Sequence, residues 1–369
     1  MIAAGGTGGH LIPALSVAGE LMRRGHVVTA VTDRRGAVLA RRISDIPVRE
    51  VKAASPSGRT IAGKVAAGVT MLAGCAGAFR LIHGERPAVM AGFGGYPTIP
   101  PLAAAQLLGV PVLVHEQNAV LGRANRFLAR RARVVATSFA ETRPAVARRT
   151  VTVGVPVRDA IAALNRVVYR PPGPQEDVNL LVVGGSQGAG IFSTLLPDAG
   201  QCLDGALRRR LKVVQQCREE DVGRTTAAWR ALGVTATVAP FFEEMAGHLA
   251  HAHLVVARAG ASTIAELAVS GRPSVLIPFP GAADDHQTAN ATVVVNAGGG
   301  WLVDEKKADA RSLAARLESL MTSPAVLTRA AGNVRRLARA DAAVALAEAI
   351  EDLAAGNGCA CRVLKEQEA

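Results

Sequence analysis

The sequence has few aromatic residues and few cysteines, and each shortage argues against a class of function. Aromatic side chains make up 3% of the 369 residues. That is few for a protein that stacks nucleic-acid bases on its side chains, so nucleic acid is not an expected partner. The five cysteines are scattered without a paired framework, which is typical of a reducing compartment. Cys359 and Cys361 lie close together near the C-terminus, where chance explains them better than a metal or redox role.

From the sequence we expect neither an export leader nor a segment that spans a membrane. The opening residues, MIAAGGTGGH, lack the basic and apolar regions of an export signal. The most apolar stretch, residues 65–79, is bounded by Lys64 and Arg80. Its 15 residues fall short of the roughly 20 that cross a bilayer as a helix. We expect a helix that is buried or lies on a surface.

Positive charge is abundant and is concentrated in one half of the chain. The formal net charge is +12. Residues 1–158 contain 21 Lys and Arg against 7 Asp and Glu, a net charge of +14. Residues 159–369 contain 21 against 23, a net charge of −2. This asymmetry predicts that an anionic partner docks on the N-terminal half.

Strands and helices alternate along the chain, which predicts a mostly parallel α/β architecture. The proline-rich segment RVVYRPPGPQED, residues 166–177, interrupts the alternation and indicates a linker. We therefore expect a first domain over residues 1–157, a linker over 158–177 and a second domain over 178–339, with a C-terminal helix over about 340–355. The predicted strands cover residues 27–32, 88–91, 110–114 and 134–136 in the first half, and 178–183, 212–215, 254–257 and 274–277 in the second.

Each half contains a glycine-rich turn between a strand and a helix. The turns are GGTGGH, residues 5–10, and GGSQG, residues 184–188. Glycines let a backbone approach a ligand closely, and the N–H groups at the following helix start favour phosphate. One such turn is as readily explained by tight packing. Two in one chain favour a ligand that carries phosphate.

Two other enzyme classes are compatible with parts of this pattern. Gly184-x-Ser186-x-Gly188 fits the nucleophile elbow of an α/β-hydrolase, with Asp284 or Asp285 and then His286 in hydrolase order. That acid and base would be adjacent in sequence, which disfavours the interpretation. A dinucleotide enzyme would use Asp33, but GGTGGH lacks the G-x-G-x-x-G spacing.

No metal site is predicted from the histidines. His248, His251 and His253 lie where a helix meets a strand, without carboxylate or thiol ligands at a supporting spacing. His115-Glu116 is not followed by a second histidine at the metalloprotease offset.

Seven short motifs follow one another over nearly the whole chain. They are GGTGGH (5–10), GFGGYPT (92–98), HEQN (115–118), GVPVR (154–158), GGSQGA (184–189), RAGASTIAE (258–266) and DHQTAN (285–290). Any single motif is weak, whereas seven in family order are specific. Together they resemble the MurG family, which makes the second lipid intermediate of peptidoglycan synthesis.

The resemblance implies the GT-B fold, in which two Rossmann-like domains with parallel sheets face a cleft. It implies an inverting glycosyltransferase without metal or cofactor. The enzyme would move GlcNAc from UDP-GlcNAc to the 4-hydroxyl of MurNAc in undecaprenyl-pyrophosphoryl-MurNAc-pentapeptide. A peripheral position on the cytoplasmic face of the plasma membrane follows. A UDP-GlcNAc epimerase of the same fold and a nucleotide-sugar sensor remain alternatives.

The resemblance also implies the site residues. Glu266 would accept hydrogen bonds from both ribose hydroxyls, and Ser186 would help to hold the diphosphate. His10 is the candidate general base, although it can instead bind acceptor phosphates. The substrate-binding candidates are Thr7, Gly8, Gly9, Asn118, Arg158, Ser186, Phe242, Arg258, Ala261, Ser262, Thr263, Ile264, Ala265, Glu266, Gln287 and Asn290.

An anionic membrane surface is the expected second partner of the first domain. Residues 121–133 carry five arginines beside Leu121, Phe127 and Leu128. With the apolar segment over residues 61–82 and the charge imbalance, they favour a membrane-docking patch. One departure from the family is that only four residues precede the first glycine turn, so we expect a short first strand.

Overall fold

A computed structural model describes residues 1–55, 60–145, 149–185 and 189–356. The chain divides into two units. One contains Met1–Arg158 together with the residues from Asp341 onward, and the other contains Asp159–Ala340. Each unit has one parallel sheet flanked by helices. The predicted α/β class, with two Rossmann-like domains, is confirmed.

The sheet of the first unit has seven parallel strands. They are β1 (Ile2–Ala3), β2 (Ala30–Thr32), β3 (Val48–Glu50), β4 (Met90–Gly92), β5 (Val112–Glu116), β6 (Val134–Thr137) and β7 (Thr150–Thr152). Their order is β3-β2-β1-β4-β5-β6-β7. β5 and β6 are buried along their whole length, as in sheets covered by helices on both faces. The order reverses between β1 and β4, which is where such sheets bind ligands.

Five helices connect these strands. They are α1 (Gly8–Arg23), α2 (Arg34–Ile43), α3 (Ile61–Glu85), α4 (Ile99–Leu107) and α5 (Arg123–Leu128). α5 begins only at Arg123. The Leu121 N–H donates to the Arg143 carbonyl at 2.7 Å, which ties the chain before Arg123 to another segment.

Only two residues form β1, so its neighbour is also short. Ile2 pairs with Ala30 on one side and with Ala91 on the other. The strand predicted over residues 27–32 begins only at Ala30, because Ala30 is the partner of the first residue of β1. Val27, three residues earlier, has no strand partner on β1 and is 97% exposed. The Met1 ammonium donates to the Val89 carbonyl at 3.0 Å, and burial lowers its pKa to about 6.

α3 differs in length from the apolar segment that the sequence predicted. The helix has 25 residues and is long and apolar enough to cross a membrane, by length and composition alone. One face is nevertheless covered by protein, because Ala67, Gly74, Ala78 and Ile82 are buried. A side chain on Gly74 would collide with the Lys52 carbonyl, so close packing requires glycine there.

The second unit repeats the strand order of the first with six strands. They are β8 (Val178–Val183), β9 (Leu211–Gln216), β10 (Thr235–Ala239), β11 (Leu254–Ala257), β12 (Ser274–Leu276) and β13 (Gly300–Leu302), in the order β10-β9-β8-β11-β12-β13. The helices are α6 (Asp159–Ala162), α7 (Phe192–Cys202), α8 (Gly205–Arg210), α9 (Val222–Ala231), α10 (Met245–His251), α11 (Ala261–Ser270), α12 (His286–Asn296), α13 (Ala310–Met321) and α14 (Pro324–Arg335). The order reverses between β8 and β11.

The segment expected as a linker is attached to the second unit. The Tyr169 hydroxyl donates to the His253 carbonyl at 2.8 Å. The Arg335 guanidinium donates to the carbonyls of Asn165, Val167 and Ser270. These contacts give the proline-rich chain fixed partners.

The C-terminal helix α15 (Ala342–Ala354) packs on α1 in the first unit. Its buried face includes Leu346 and Ile350. At the rim, Arg24 donates to Glu20 at 2.7 Å and to Glu351 at 2.8 Å. Apolar burial and this ion-pair network hold the returning helix on the first unit.

Candidate active site

Two glycine turns of the first unit meet at the switch point between β1 and β4. The Gly5 N–H donates to the Gly94 carbonyl at 2.9 Å. Gly95 has a φ of +83°, and a Cβ there would lie 2.9 Å from the Gly5 Cα. Glycine is therefore required for this close approach, as well as for backbone conformation.

The candidate residues Thr7, Gly8 and Gly9 form the open start of α1. Thr7 is the N-cap in an extended conformation, and its side chain makes no capping hydrogen bond. Thr7 and Gly8 are half-buried and Gly9 is exposed. The His10 N–H donates to the Thr7 carbonyl at 3.1 Å, so the N–H groups of Gly8 and Gly9 are the ones that this helix start leaves for an anion or for sugar hydroxyls.

The His10 imidazole rests against the backbone of the glycine turns. A Cβ on Gly5 would lie 3.3 Å from the ring atom Cδ2, and one on Gly94 would lie 3.2 Å from Cε1. The Nδ1 atom lies 3.0 Å from the Gln117 Oε1 atom. Half-buried between these groups, the ring has a fixed place at the carboxyl end of the sheet.

His115, on β5, is a buried neutral histidine. Its Nε2–H donates to the Gly154 carbonyl at 2.8 Å. Burial lowers the pKa of His115 to about 4, with the nearby His10 acting in the same direction and the Gly154 bond opposing. The ring is therefore uncharged at neutral pH.

Glu116 is a buried carboxylate that organises the loop after β5. Its oxygens accept hydrogen bonds from the Asn118 N–H and side-chain amide, the Gly122 N–H and the Asn125 amide, at 2.9–3.1 Å. These donors compensate for removing the charge from water. The candidate Asn118 is thus placed by Glu116. The Asn125 Oδ1 atom is buried and has no hydrogen-bond partner among the described residues. The candidate Arg158 is half-buried and is the residue at which the chain leaves the first unit.

Asp33 has a local structural use. It is the N-cap of α2, and its Oδ1 atom accepts from the Gly36 N–H at 2.9 Å. A dinucleotide enzyme would need this carboxylate for a ribose. The capping bond therefore favours the other interpretations of the turn.

In the second unit the ends of β8 and β11 bring two motifs together. Val183 pairs with Ala257, and the Arg258 N–H donates to the Val183 carbonyl at 3.2 Å. Gly185 has a φ of +79°, and a Cβ there would meet no atom within 4 Å. The candidate Ser186 lies outside the described residues.

Arg258 is buried and has protein partners. It donates to the carbonyls of Ile277 and Pro278 at 3.0 and 3.1 Å and forms an ion pair with Glu305. The guanidinium also lies over the rings of Phe192 and Phe279, at 4.9 and 5.4 Å. These contacts suit a residue that fixes the loops around β11 and β12.

The start of α11 contains most of the second unit's candidates. Gly260 is the N-cap and provides no side-chain acceptor, so the N–H groups of the first turn lack a side-chain cap. Ser262, Thr263, Ala265 and Glu266 are half-buried, whereas Ala261 and Ile264 are buried. The Ser262 Oγ atom is buried and has no hydrogen-bond partner among the described residues. A helix start of this kind attracts an anionic group.

Two further candidates support the backbone around this helix start. The Asn290 amide is fully buried and donates to the Ala259 carbonyl at 3.0 Å. The Gln287 Oε1 atom accepts from the Phe279 N–H at 2.9 Å. Asn290 thus fixes the backbone just before α11, and Gln287 fixes the backbone of the loop after β12.

Phe242 follows β10 and is 8% exposed. Its ring packs edge-on against His248, with 4.7 Å between centroids. His251 contacts the Gly247 carbonyl at 2.8 Å, and the His253 ring accepts from the Asn179 N–H. In the described part of the chain, no group of three or more His, Cys, Asp or Glu side chains is arranged to hold a metal.

His286 and Asp285, a base and an acid of the hydrolase interpretation, each have another partner in the structure. The His286 Nδ1 atom lies 2.7 Å from the Ala283 carbonyl, and Asp285 accepts from the Thr288 hydroxyl at 2.7 Å. Asp284 and Asp285 both have a positive φ, of +52° and +51°. Such strained non-glycine residues cluster at functional loops.

Comparison with known proteins agrees with this geometry. The glycosyltransferase family 28 N-terminal domain matches residues 1–137, and the family's C-terminal domain matches residues 179–346. The UDP-N-acetylglucosamine--N-acetylmuramyl-(pentapeptide) pyrophosphoryl-undecaprenol N-acetylglucosamine transferase of Rhodospirillum centenum is 47% identical over 97% of this chain and 95% of its own length. The enzyme of the same name from Rhodospirillum rubrum is 46% identical over 95% of this chain and 90% of its own. The crystal structure of Acinetobacter baumannii MurG matches with a TM-score of 0.77 and 31% identity, over 95% of this chain and 98% of that one.

The chain belongs to the MurG family. The GT-B fold extends beyond that family, since a putative UDP-N-acetylglucosamine 2-epimerase from Listeria monocytogenes also matches. That match has a TM-score of 0.66 over 95% of each chain but only 13% identity, so it shows the fold alone.

Several residues that shape the sites of this MurG family member were missed by the sequence reasoning. In the first unit Gln117 contacts His10 and Asn125 donates to Glu116, and in the second unit Glu305 pairs with Arg258. Gln117 was within the HEQN motif and could have been selected. Asn125 and Glu305 are isolated polar residues in helical segments, and no local pattern distinguishes them from solvated ones.

Proposed function

We propose that the chain transfers GlcNAc from UDP-GlcNAc to the 4-hydroxyl of MurNAc in undecaprenyl-pyrophosphoryl-MurNAc-pentapeptide, with inversion at the anomeric carbon. The observation that carries the proposal is identity of 46–47%, over nearly the full chain, to curated enzymes that bear that activity in their names. The open helix starts at the switch points of both sheets are consistent with it.

The experiment follows UDP release with UDP-GlcNAc alone and with the lipid-pyrophosphate MurNAc acceptor added. Release that requires the acceptor, together with a product that contains GlcNAc, is expected. Release without acceptor would indicate hydrolysis or epimerisation instead. Binding of UDP-GlcNAc with no turnover under either condition would indicate a sensor.

The donor site of the proposal is the second unit's switch point. The N–H groups at the start of α11 and the turn that contains Ser186 would hold the diphosphate. Fixed donors of this kind stabilise the charge that develops on a departing UDP. The unpartnered Ser262 hydroxyl supports a polar ligand at this place. Glu266, one turn into α11, would accept from the two ribose hydroxyls, and the backbone near Phe242 would contact uracil.

The remaining donor contacts are assigned by family resemblance and local placement. Gln287 and Asn290 hold the backbone at Phe279 and Ala259, so we propose that they act on the sugar through that backbone as well as directly. Arg258 would keep the same loops in place. In the first unit, Thr7, Gly8, Gly9, Asn118 and Arg158 would complete the substrate contacts.

His10 is the proposed general base. Its ring is held at the carboxyl end of the first unit's sheet, next to the open start of α1. A base in this role typically contributes 10²- to 10⁴-fold, so His10→Ala is expected to lower kcat by about that factor. Affinity for UDP-GlcNAc should stay the same. A change in affinity alone would rule out the base role.

We also propose that the first unit docks peripherally on an anionic membrane, at its cytoplasmic face. The outer face of α3 exposes Ile61, Val65, Val69 and Leu72, each by at least 63%. All five arginines of residues 121–133 are exposed. α3 and α5 both pack on α4. Because the opposite face of α3 is buried in protein, a helix that lies on the membrane fits better than one that spans it.

Vesicle sedimentation tests the docking proposal. Binding to anionic vesicles is expected at low salt and should weaken at high salt, since each basic residue near the surface contributes about 1 kcal/mol. Leu72→Glu should reduce binding. Val168→Glu, at an equally exposed valine of the second unit, is the matched control and should bind as the unchanged protein does. Absence of binding at low salt would exclude the patch.

A further inference from the structure

Three polar side chains at the end of β5 form a continuous hydrogen-bonded chain. His115 and Gln117 are buried, and His10 is half-buried. The Gln117 Nε2 atom lies 3.1 Å from His115 Nδ1 and 2.9 Å from the Phe93 carbonyl. The Gln117 Oε1 atom lies 3.0 Å from His10 Nδ1. The chain therefore connects a backbone carbonyl, at Gly154, to the candidate base.

The donor and acceptor roles in this hydrogen-bonded chain are fixed first at His115. The Gly154 carbonyl can only accept, so His115 Nε2 carries a proton. Ser138 Oγ lies 3.5 Å from the same nitrogen, and it donates its own proton to the Glu116 carbonyl at 3.0 Å. It can therefore only accept from His115. A buried ring that is neutral has one proton, so His115 Nδ1 is an acceptor.

The donor and acceptor roles of the Gln117 amide follow from those of His115. His115 Nδ1 and the Phe93 carbonyl are both acceptors, so the side-chain NH₂ must face them. The amide oxygen must then face His10, because a flipped amide would place its oxygen against two acceptors. An amide oxygen cannot donate, so the His10 Nδ1 atom must be the donor. A neutral His10 consequently has its lone pair on Nε2.

The glycine turns restrict the same ring sterically. The Gly94 position is close to the Cε1 and Nδ1 edge, and the Gly5 and Gly95 positions are close to Cδ2. A ring held on both edges and bonded at Nδ1 keeps one orientation. Packing and hydrogen bonding thus both restrict the His10 ring to one orientation.

We propose that Gln117 is a positioning residue that fixes His10 as the Nδ1–H tautomer, with the direction imposed by His115 and the Gly154 carbonyl. The inference rests on the proposed base role of His10. In the reaction, the His10 Nε2 lone pair takes the proton of the acceptor hydroxyl while that oxygen bonds to the anomeric carbon. The bond from that carbon to the UDP oxygen breaks, and its electron pair leaves with UDP. The imidazolium keeps its Nδ1–H bond to Gln117 and later releases the Nε2 proton to solvent.

The test is the protonation pattern of the imidazole nitrogens, read by ¹⁵N–¹H NMR on the full histidine-labelled chain without substrate. Loss of signals in His10→Ala assigns the His10 resonances. The unchanged protein is expected to show a protonated Nδ1 and a bare Nε2. Gln117→Met removes the acceptor and should shift His10 toward the Nε2–H form. It should lower kcat about 10- to 100-fold, as when the partner that orients a working histidine is lost, and leave UDP-GlcNAc affinity unchanged.

Two variants complete the experiment. Gln117→Glu keeps an oxygen acceptor opposite Nδ1 and should retain the Nδ1–H form even if its other contacts are weakened. Gln106→Met removes another half-buried glutamine of the same unit, which donates to the Leu128 carbonyl, and should leave the tautomer unchanged. A bare Nδ1 in the unchanged protein, or the same tautomer in Gln117→Met, would overturn the proposal. If His10→Ala kept full kcat, the base role would fail while the tautomer result stood.

Discussion

The turns after β1 and β8 occupy equivalent positions in two sheets of the same strand order, yet their surroundings differ. In the first unit the glycine backbone packs against itself and against the imidazole of His10, above a buried polar network. In the second unit a Cβ on Gly185 would meet no described atom within 4 Å, and the neighbouring start of α11, like the start of α1, lacks a side-chain cap. The first unit thus adds an imidazole to an open helix start, whereas the start of α11 offers backbone N–H groups. The same scaffold can supply a base in one unit and an anion site in the other.

The polar residues behind the two turns differ in the same way. The first unit uses uncharged groups and a buried carboxylate, His115, Gln117 and Glu116, to fix side-chain orientation. The second unit uses Arg258, which is paired with Glu305 and lies over two aromatic rings, to fix loops. The His10 ring is linked to two uncharged groups, Gln117 and through it His115, which suits a group that must exchange a proton. A rigid cationic anchor suits a site that only binds.

The largest expected effect concerns Gly95, where the two glycine turns of the first unit pack against each other. Gly95→Ala should lower the free energy of unfolding by about 2–4 kcal/mol, because its φ of +83° and ψ of 156° are nearly exclusive to glycine and a Cβ would press on Gly5. Gly9→Ala, where a Cβ meets nothing within 4 Å, should instead stabilise by up to about 1 kcal/mol. Urea unfolding measures both. Similar losses in the two variants would contradict the packing difference.

The second effect is a pH dependence that belongs to the first unit. The folded pKa of His115 is about 4, below its ordinary 6.5, so the unfolded chain binds more protons between these values. Stability should therefore fall as the pH drops from about 6.5 toward 4, by up to about 3 kcal/mol. His115→Gln should remove this component of the slope. His83→Gln, at an exposed histidine, should retain it. Unfolding curves at several pH values provide the comparison, and an unchanged slope in His115→Gln would refute the buried neutral assignment.

The smallest effect compares helix caps in the two units. Asp33 caps α2 and Asp309 caps α13, each accepting from a backbone N–H at 2.9 Å. Alanine at either position should cost about 1 kcal/mol of stability. Neither should change UDP-GlcNAc affinity in a calorimetric titration. Loss of affinity in Asp33→Ala alone would place that carboxylate at a ligand and revive the dinucleotide interpretation.

Local sequence patterns predicted the buried valine-rich strands but not their limits. β8 and β11 form over the predicted residues, since each pairs on both sides along its length. The strand predicted from Val27 begins later because the length of β1 sets it. β3, β7, β10 and β13 were missed. They are the four edge strands of the two sheets, whose more exposed residues weaken the apolar signal.

The site was predicted in part for a similar reason. Motif resemblance selected His10, Glu266 and the residues around them by their positions in the chain. It did not give the direction of hydrogen bonds at Gln117, which depends on a carbonyl 37 residues further along, at Gly154. The roles of Asn125 and Glu305 likewise arise from tertiary contacts. The apolar segment predicted as 15 residues proved to be part of a 25-residue helix. The buried face of α3 consists largely of glycine and alanine, which pack closely against neighbouring parts of the protein.

One paired measurement tests the division of labour between the units most directly, namely kcat and UDP-GlcNAc affinity for Glu266→Ala and His10→Ala. Loss of hydrogen bonds to a charged group is expected to weaken donor binding by roughly 10- to 100-fold in Glu266→Ala. His10→Ala should bind the donor normally and lose turnover. If both variants lost donor affinity alike, or if His10→Ala turned over at the normal rate, the second unit would not be the binding half and the first would not supply the base.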